Sequence, residues 1–138
     1  MSKLRLLQGQ EPPAPTAEQR ITELNEAWQQ GDICAILAAY HPDAVLFPPG
    51  DAAPIQGDGE LAETYTCFLT EAILHRFKTL ELTSFPFQQV TLVQLKFEVE
   101  YELEEQRFLE RGTENYAVDA RGQILWRQQL VSSTDEID

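Results

Sequence analysis

The 138 residues predict a single α+β domain in which three helices come first and an antiparallel sheet follows. Apolar residues recur at helical spacing up to about residue 75, and from about residue 76 the period falls to two. The change of period separates helices from strands along the chain, the order expected of an α+β fold rather than of alternating parallel units. With 43% hydrophobic residues, one domain of this length can bury a core without disulfide or metal staples.

Residues 1–15 end in "EPPAP", which favours extended backbone, so a flexible arm over 1–15 is expected before the folded part. The domain is placed at 16–133, followed by an acidic tail over 134–138. "TAEQ" fits a capping box, with Thr16 and Gln19 serving the free amides of a helix start. Ile21, Leu24 and Trp28 follow at helical spacing, and Gly31 is placed to end this helix at about residue 30. Asp32 can cap a second, shorter helix bearing Ile33, Ile36, Leu37 and Tyr40, stopped by Pro42. "AVLF", residues 44–47, reads as a short buried strand.

The stretch "FPPGDAAPIQG", 47–57, holds three prolines and two glycines and interrupts regular structure. It is either the rim of a pocket or a plain connection. Asp58 is expected to cap a third helix, whose Leu61, Tyr65, Phe68, Leu69 and Ala72 form one apolar stripe. "VQLKFEVEYEL" then alternates Val93, Leu95, Phe97, Val99, Tyr101 and Leu103 with polar residues, as in a sheet with one wet face. "RFLERGTENYAVD" and "QILWRQQLVSS" read as two more strands, turning at "ARGQ".

Ten basic residues against 23 acidic ones leave a formal charge of −13, which repels nucleic acid and anionic membrane surfaces. No run approaches the ~18 apolar residues of a membrane span. Cys34 and Cys67 have neither zinc-knuckle spacing nor the density of a disulfide scaffold. Both fall in helical stretches, where a free thiol usually behaves as a small buried hydrophobe, and a reducing, cytoplasmic setting is expected. His41 and His75 lack a carboxylate arrangement suited to zinc, so no metal site and no cofactor are expected.

A tight turn at Glu105-Gln106 would put Phe97, Val99, Tyr101 and Leu103 on one face with Phe108, Glu110, Gly112, Glu114 and Tyr116. Two carboxylates then lie on the apolar side. A buried Glu114 either stays neutral and donates to a ligand carbonyl, or is satisfied by Arg111, Arg127 or a tyrosine hydroxyl, unless a register slip turns it outward. Trp28 and Trp126 suit a pocket wall and a core equally. Arg111 can reach Glu100 and ease the repulsion of the row Glu98, Glu100, Glu102.

"AWQQGDICAILAAYHPDAVLFPPG", "QGDGELAETY" and "RGTENYAVDARGQILWRQQ", in that order, resemble the nuclear transport factor 2-like superfamily, which includes ketosteroid isomerase and SnoaL-like polyketide cyclases. The resemblance covers about residues 17–132. It implies a cone-shaped α+β barrel, with the helices packed in the concave face of a curved, mostly antiparallel sheet and a pocket at the open end. It implies a homodimer formed through the sheet. The family's catalytic set is incomplete, since the base position falls on Pro48 and the oxyanion tyrosine on Leu24. Only Tyr65 and an acid at Glu114 remain, with Asp51 as a candidate displaced base.

Trp28, Tyr65, Phe97, Tyr101, Glu114, Trp126 and Gln128 are the expected ligand-binding residues, with Glu114 and Tyr65 as candidate catalytic groups. The expected ligand is small and either apolar or carbonyl-containing. Three readings follow: a small-molecule-binding domain; a SnoaL-like isomerase, cyclase or hydrolase doing acid–base chemistry next to a carbonyl; and a protein-interaction or dimerisation module with a filled cone.

Overall fold

In the computed structural model, which describes residues 16–138, three helices pack against one curved, unclosed, six-stranded sheet. The expected arm over 1–15 lies outside the described residues. Helix α1 spans Ala17–Gln30 and α2 spans Ile33–Ala38. Strands β1 (Tyr40–Phe47) and β2 (Ile55–Gln56) precede α3 (Asp58–Glu71). The meander β3 (Ala72–Phe87), β4 (Val90–Leu103), β5 (Gln106–Val118) and β6 (Ile124–Ile137) completes the chain. The sheet order is β2-β1-β6-β5-β4-β3, and β1 and β6 are its parallel neighbours.

Helix α1 starts on the expected capping box, since Thr16 Oγ1 accepts from the Gln19 amide and Gln19 Oε1 accepts from the Thr16 amide. It ends at Gly31, whose φ of +66° lies in the left-handed region that glycine enters without steric cost. Its inner stripe buries Ile21, Leu24 and Ala27 against a sheet face bearing Val93, Leu95, Phe97, Tyr116, Val118 and Ile124. Fully burying one such aliphatic side chain contributes about 1.5–3 kcal/mol, so this seam is a major source of stability.

Local details differ from expectation for identifiable reasons. Helix α2 stops at Ala38, and Tyr40 opens a strand that includes Pro42. Asp58 is the first residue of α3, capped by Gly57 without a side-chain hydrogen bond. Cys34 and Cys67 lie in α2 and α3 but are exposed and unpaired rather than buried. Residues 134–137, expected in an acidic tail, belong to β6: Asp135 pairs with Leu109 and Ile137 with Arg107.

The β4–β5 turn is centred on Glu104 and Glu105, one residue earlier than expected. Moving a two-residue turn by one position changes each pairing by two, so the inward-facing set is preserved while the partners change. Glu98 therefore meets Arg111 at 2.9 Å, and Glu100 meets Arg107 at 3.1 Å in place of the expected Arg111. Arg76 of β3 closes the ladder on both carboxylates.

Glu104 and Glu105 have φ of 52° and 67°, the left-handed conformation that non-glycine residues adopt at a cost of about 1–2 kcal/mol each. Replacing them together (E104N with E105G) is expected to raise the unfolding free energy in urea by about 1 kcal/mol or more. An unchanged or lower midpoint would show that the turn is not strained.

Candidate functional site

The alternation of β4 and β5 directs Phe97, Val99 and Tyr101, with Glu110, Gly112 and Glu114, into the concave side of the sheet. Between this face and helices α1 and α3 lies a cavity of about 280 Å³. Trp28 and Tyr65 line it from the helices, Phe77 and Leu74 from β3, and Arg127, Gln129 and Val131 from β6. Pro48, Pro49 and Ile55, from the proline-rich segment 47–57, line it as well. That segment contributes to the pocket wall, its prolines fixing backbone that is neither helix nor strand.

Gly112 is needed at its position. A Cβ there would stand 2.3 Å from the Leu130 carbonyl oxygen and 2.9 Å from the Phe97 ring, so any side chain would push the ring or the neighbouring strand away. Phe97 thus lies flat over β5 and stacks on Phe77 at 5.7 Å between centroids.

At the floor is a buried polar network. Arg127 pairs with Glu114 Oε2, and the Tyr116 hydroxyl donates to Glu114 Oε1. Arg127 Nη1 donates to the Tyr65 hydroxyl at 3.2 Å, and the Tyr65 and Tyr40 hydroxyls share a hydrogen bond of 2.9 Å. Arg127 also sits 5.7 Å from the Tyr116 ring centroid. Burial works against the charge on Arg127 but is outweighed by Glu114 and the oxygens of Tyr116, Tyr40 and Tyr65, so its titration lies well above the ordinary range. Burial pushes the phenols of Tyr40 and Tyr116 well above theirs. With both Glu114 oxygens accepting from protein donors, this group is held by Arg127 and Tyr116 and is not free to meet a ligand carbonyl, the structural-partner alternative among the expectations.

The second inward carboxylate has different surroundings. Glu110 Oε1 accepts from the Tyr101 hydroxyl at 3.1 Å and from Thr134 Oγ1 at 3.5 Å. Its Oε2 has no partner among the described residues. Burial pushes the Glu110 carboxyl up; the two hydroxyls pull it down, and the charge of Glu114 adds to the rise. Tyr101 in turn is pushed up to about 12 by burial and by Glu110.

Five of the seven expected ligand-binding residues line the cavity: Trp28, Tyr65, Phe97, Tyr101 and Glu114. Trp126 and Gln128 do not. Between Ile124 and Trp126 the β5–β6 register shifts, with Val118 facing Ile124 and Ala117 facing Trp126. Leu125 is the extra residue of this bulge, and it reverses the side-chain parity from Trp126 to Val131, beyond which a second extra residue, Ser132, reverses it again so that Thr134 faces Glu110. Trp126 therefore meets Phe47 edge-on, and Gln128 accepts from Asn115, both on the convex face. Arg127 and Gln129 take the inward places. Asp51 is exposed and outside the cavity lining, while Leu24 is core. Glu110 was legible as inward-facing, but its open oxygen depends on which of the two inward carboxylates Arg127 meets. Among the described residues, no group of three or more His, Cys, Asp or Glu is placed to hold a metal.

No family model matches the chain, and no curated protein does. Solved structures do. A ketosteroid isomerase-like protein from Erwinia carotovora atroseptica is similar with a TM-score of 0.73 and 21% identity, over 85% of this chain and 94% of its own. A Mycobacterium tuberculosis protein in complex with estradiol-17beta-hemisuccinate is similar at TM-score 0.72 and 16% identity, over 82% and 91%. An NTF2-like protein of unknown function from Pseudomonas putida gives 0.63 and 19%, over 82% of each. The chain has the α+β cone fold of the nuclear transport factor 2-like superfamily. At these identities the likeness concerns the fold alone.

Removing one side of the floor ion pair leaves a buried charge unpaired. Glu114→Gln is expected to lower the unfolding free energy by about 3–5 kcal/mol in urea melts. Glu110→Gln keeps an acceptor for Tyr101 and removes a carboxylate that burial disfavours, so at pH 7 it should be at least as stable as the parent. The reverse ranking would mean that the roles of the two carboxylates have been misassigned.

Tyr40 and Tyr116 are raised in the fold. Their contribution is intact below the phenol's ordinary value near 10, where both states are protonated, and declines above it as only the unfolded chain ionises. Urea midpoints should accordingly fall steeply above pH 10, and a flat profile to pH 11 would contradict the buried network.

Proposed function

We propose that the chain is a small-molecule-binding domain that holds an apolar ligand inside the cone. The observation that carries this is the hollow itself: about 280 Å³ walled by Trp28, Phe77, Phe97 and Tyr101, with a few convergent polar groups. The volume is close to the lower end of the roughly 300–1,000 Å³ typical of ligand sites. The likeness to a protein in complex with estradiol-17beta-hemisuccinate supports the reading, since a protein of the same fold takes a small molecule with a large apolar ring system.

The acid–base reading relied on Glu114 and Tyr65, which are committed here to Arg127 and to one another's network. Binding is therefore the better-supported reading. A filled cone acting only as an interaction module fits less well with an open cavity.

We further propose a homodimer working in a reducing compartment such as the cytoplasm. Supporting the first is an apolar patch on the convex face, where Phe47 and Leu130 are 41% and 49% exposed. Supporting the second are two exposed free thiols. Sedimentation should give twice the chain mass, reduced to one by Leu130→Lys; a monomeric parent would contradict the dimer.

Trp28 lines the cavity and Trp126 does not, so the two indole N–H resonances form an internal control. Titrating the ¹⁵N-labelled protein with 2-phenylethanol should shift the Trp28 signal saturably and leave Trp126 in place. No movement of Trp28, or equal movement of both, would contradict binding inside the cone.

A further inference from the structure

We propose that the cavity selects an apolar ligand bearing a protonated amine, with its ammonium group held between the open oxygen of Glu110 and the rings of Tyr101, Phe68 and Trp28. This rests on the reading of the cone as a small-molecule site and names the class of molecule it takes.

Three charged side chains line the cavity: Glu110, Glu114 and Arg127. The last two satisfy each other at the floor, so the cavity carries one uncompensated negative charge, at Glu110. None of the ion pairs among the described residues involves Glu110. Its carboxylate is partly withdrawn from water, has one oxygen held by Tyr101 and Thr134, and has the other without a protein partner. A half-buried carboxylate in that condition is costly until a counter-charge arrives.

The surroundings fit a cation and not just any donor. Trp28 lies edge-on to Phe68 with centroids 5.7 Å apart, Phe68 meets Tyr101 at 6.3 Å, and Tyr101 stacks on Phe108 at 5.4 Å. Of these rings Trp28, Phe68 and Tyr101 line the cavity, and the Tyr101 hydroxyl is the group that holds Glu110. Aromatic faces attract ammonium groups, and an ammonium supplies three donors with no acceptor to leave unpaired. Phe68 both lines the cavity and is 37% exposed, so this ring is open to solvent as well as to the cavity. The formal charge of −13 further favours the approach of cations and opposes that of anions. A neutral ligand would leave the charge of Glu110 uncompensated even where it donates a hydrogen bond, and a carboxylate ligand would add a like charge beside it.

The test uses three molecules of one shape: 2-phenylethylammonium, 2-phenylethanol and phenylacetate, titrated into the full chain at pH 7 and followed at the Trp28 indole N–H. The ammonium compound should bind about tenfold more tightly than the alcohol, with phenylacetate weakest. In Glu110→Gln, checked for folding by its melting temperature, the ratio of ammonium to alcohol affinity should fall toward one. An alcohol that binds as tightly as the ammonium in the parent protein, or a preference that survives in Glu110→Gln, would overturn the proposal while leaving the cone a ligand site. Failure of all three molecules to move the Trp28 signal would overturn the ligand site and this assignment with it. The comparison in the parent protein decides the matter even if the variant does not fold.

Discussion

The buried pair of Arg127 and Glu114 is the constraint on which the inside of the cone depends. Two opposite charges withdrawn from water must stay together, and here they are fixed further by Tyr116 and Tyr65. The pair ties β5 to β6, and through Tyr65 and Tyr40 it ties the sheet to α3 and β1. It stands where a close-packed protein would place aliphatic side chains. A polar floor of this kind is compatible with a hollow above it, because it does not gain by collapsing onto an apolar partner.

That floor also divides the labour between two carboxylates that are otherwise alike. Glu110 and Glu114 are four residues apart on one strand and face the same way. What separates them is the neighbouring strand: near Glu114 it supplies Arg127, from the position facing Tyr116, and opposite Glu110 it supplies Thr134. One acid is thereby spent on structure, and the other keeps an oxygen free toward the cavity. A carboxylate burdened by burial and left partly unsatisfied is the sort of feature that proteins retain at sites of function.

Much of the architecture was readable in the residues. The capping box at Thr16, the stop at Gly31 and the change of period near residue 76 each have a local cause, and the structure follows them. The facing set of β4 and β5 was readable too, because an error of one residue in the turn leaves side-chain parity untouched. Parity in β6 was not, since the bulge at Leu125 comes from how β6 meets its neighbours rather than from anything local to "QILWRQQ". That one extra residue moved Trp126 and Gln128 to the convex face and brought Arg127 and Gln129 inside. The same long-range dependence hid the difference between Glu110 and Glu114, as it hid the extension of β6 through the acidic end. Similarity to known structures confirms the cone and, at 21% identity or less among the neighbours described, adds nothing about individual side chains.

The most direct measurement is a crystal structure of the purified protein at a resolution that separates the two carboxylate oxygens. The account predicts Arg127 on Glu114 at the floor, with density for water or a ligand filling the space between Trp28 and Glu110. A cone closed by inward movement of Trp28 or Phe68, or an Arg127 that has left Glu114 for Glu110, would contradict it.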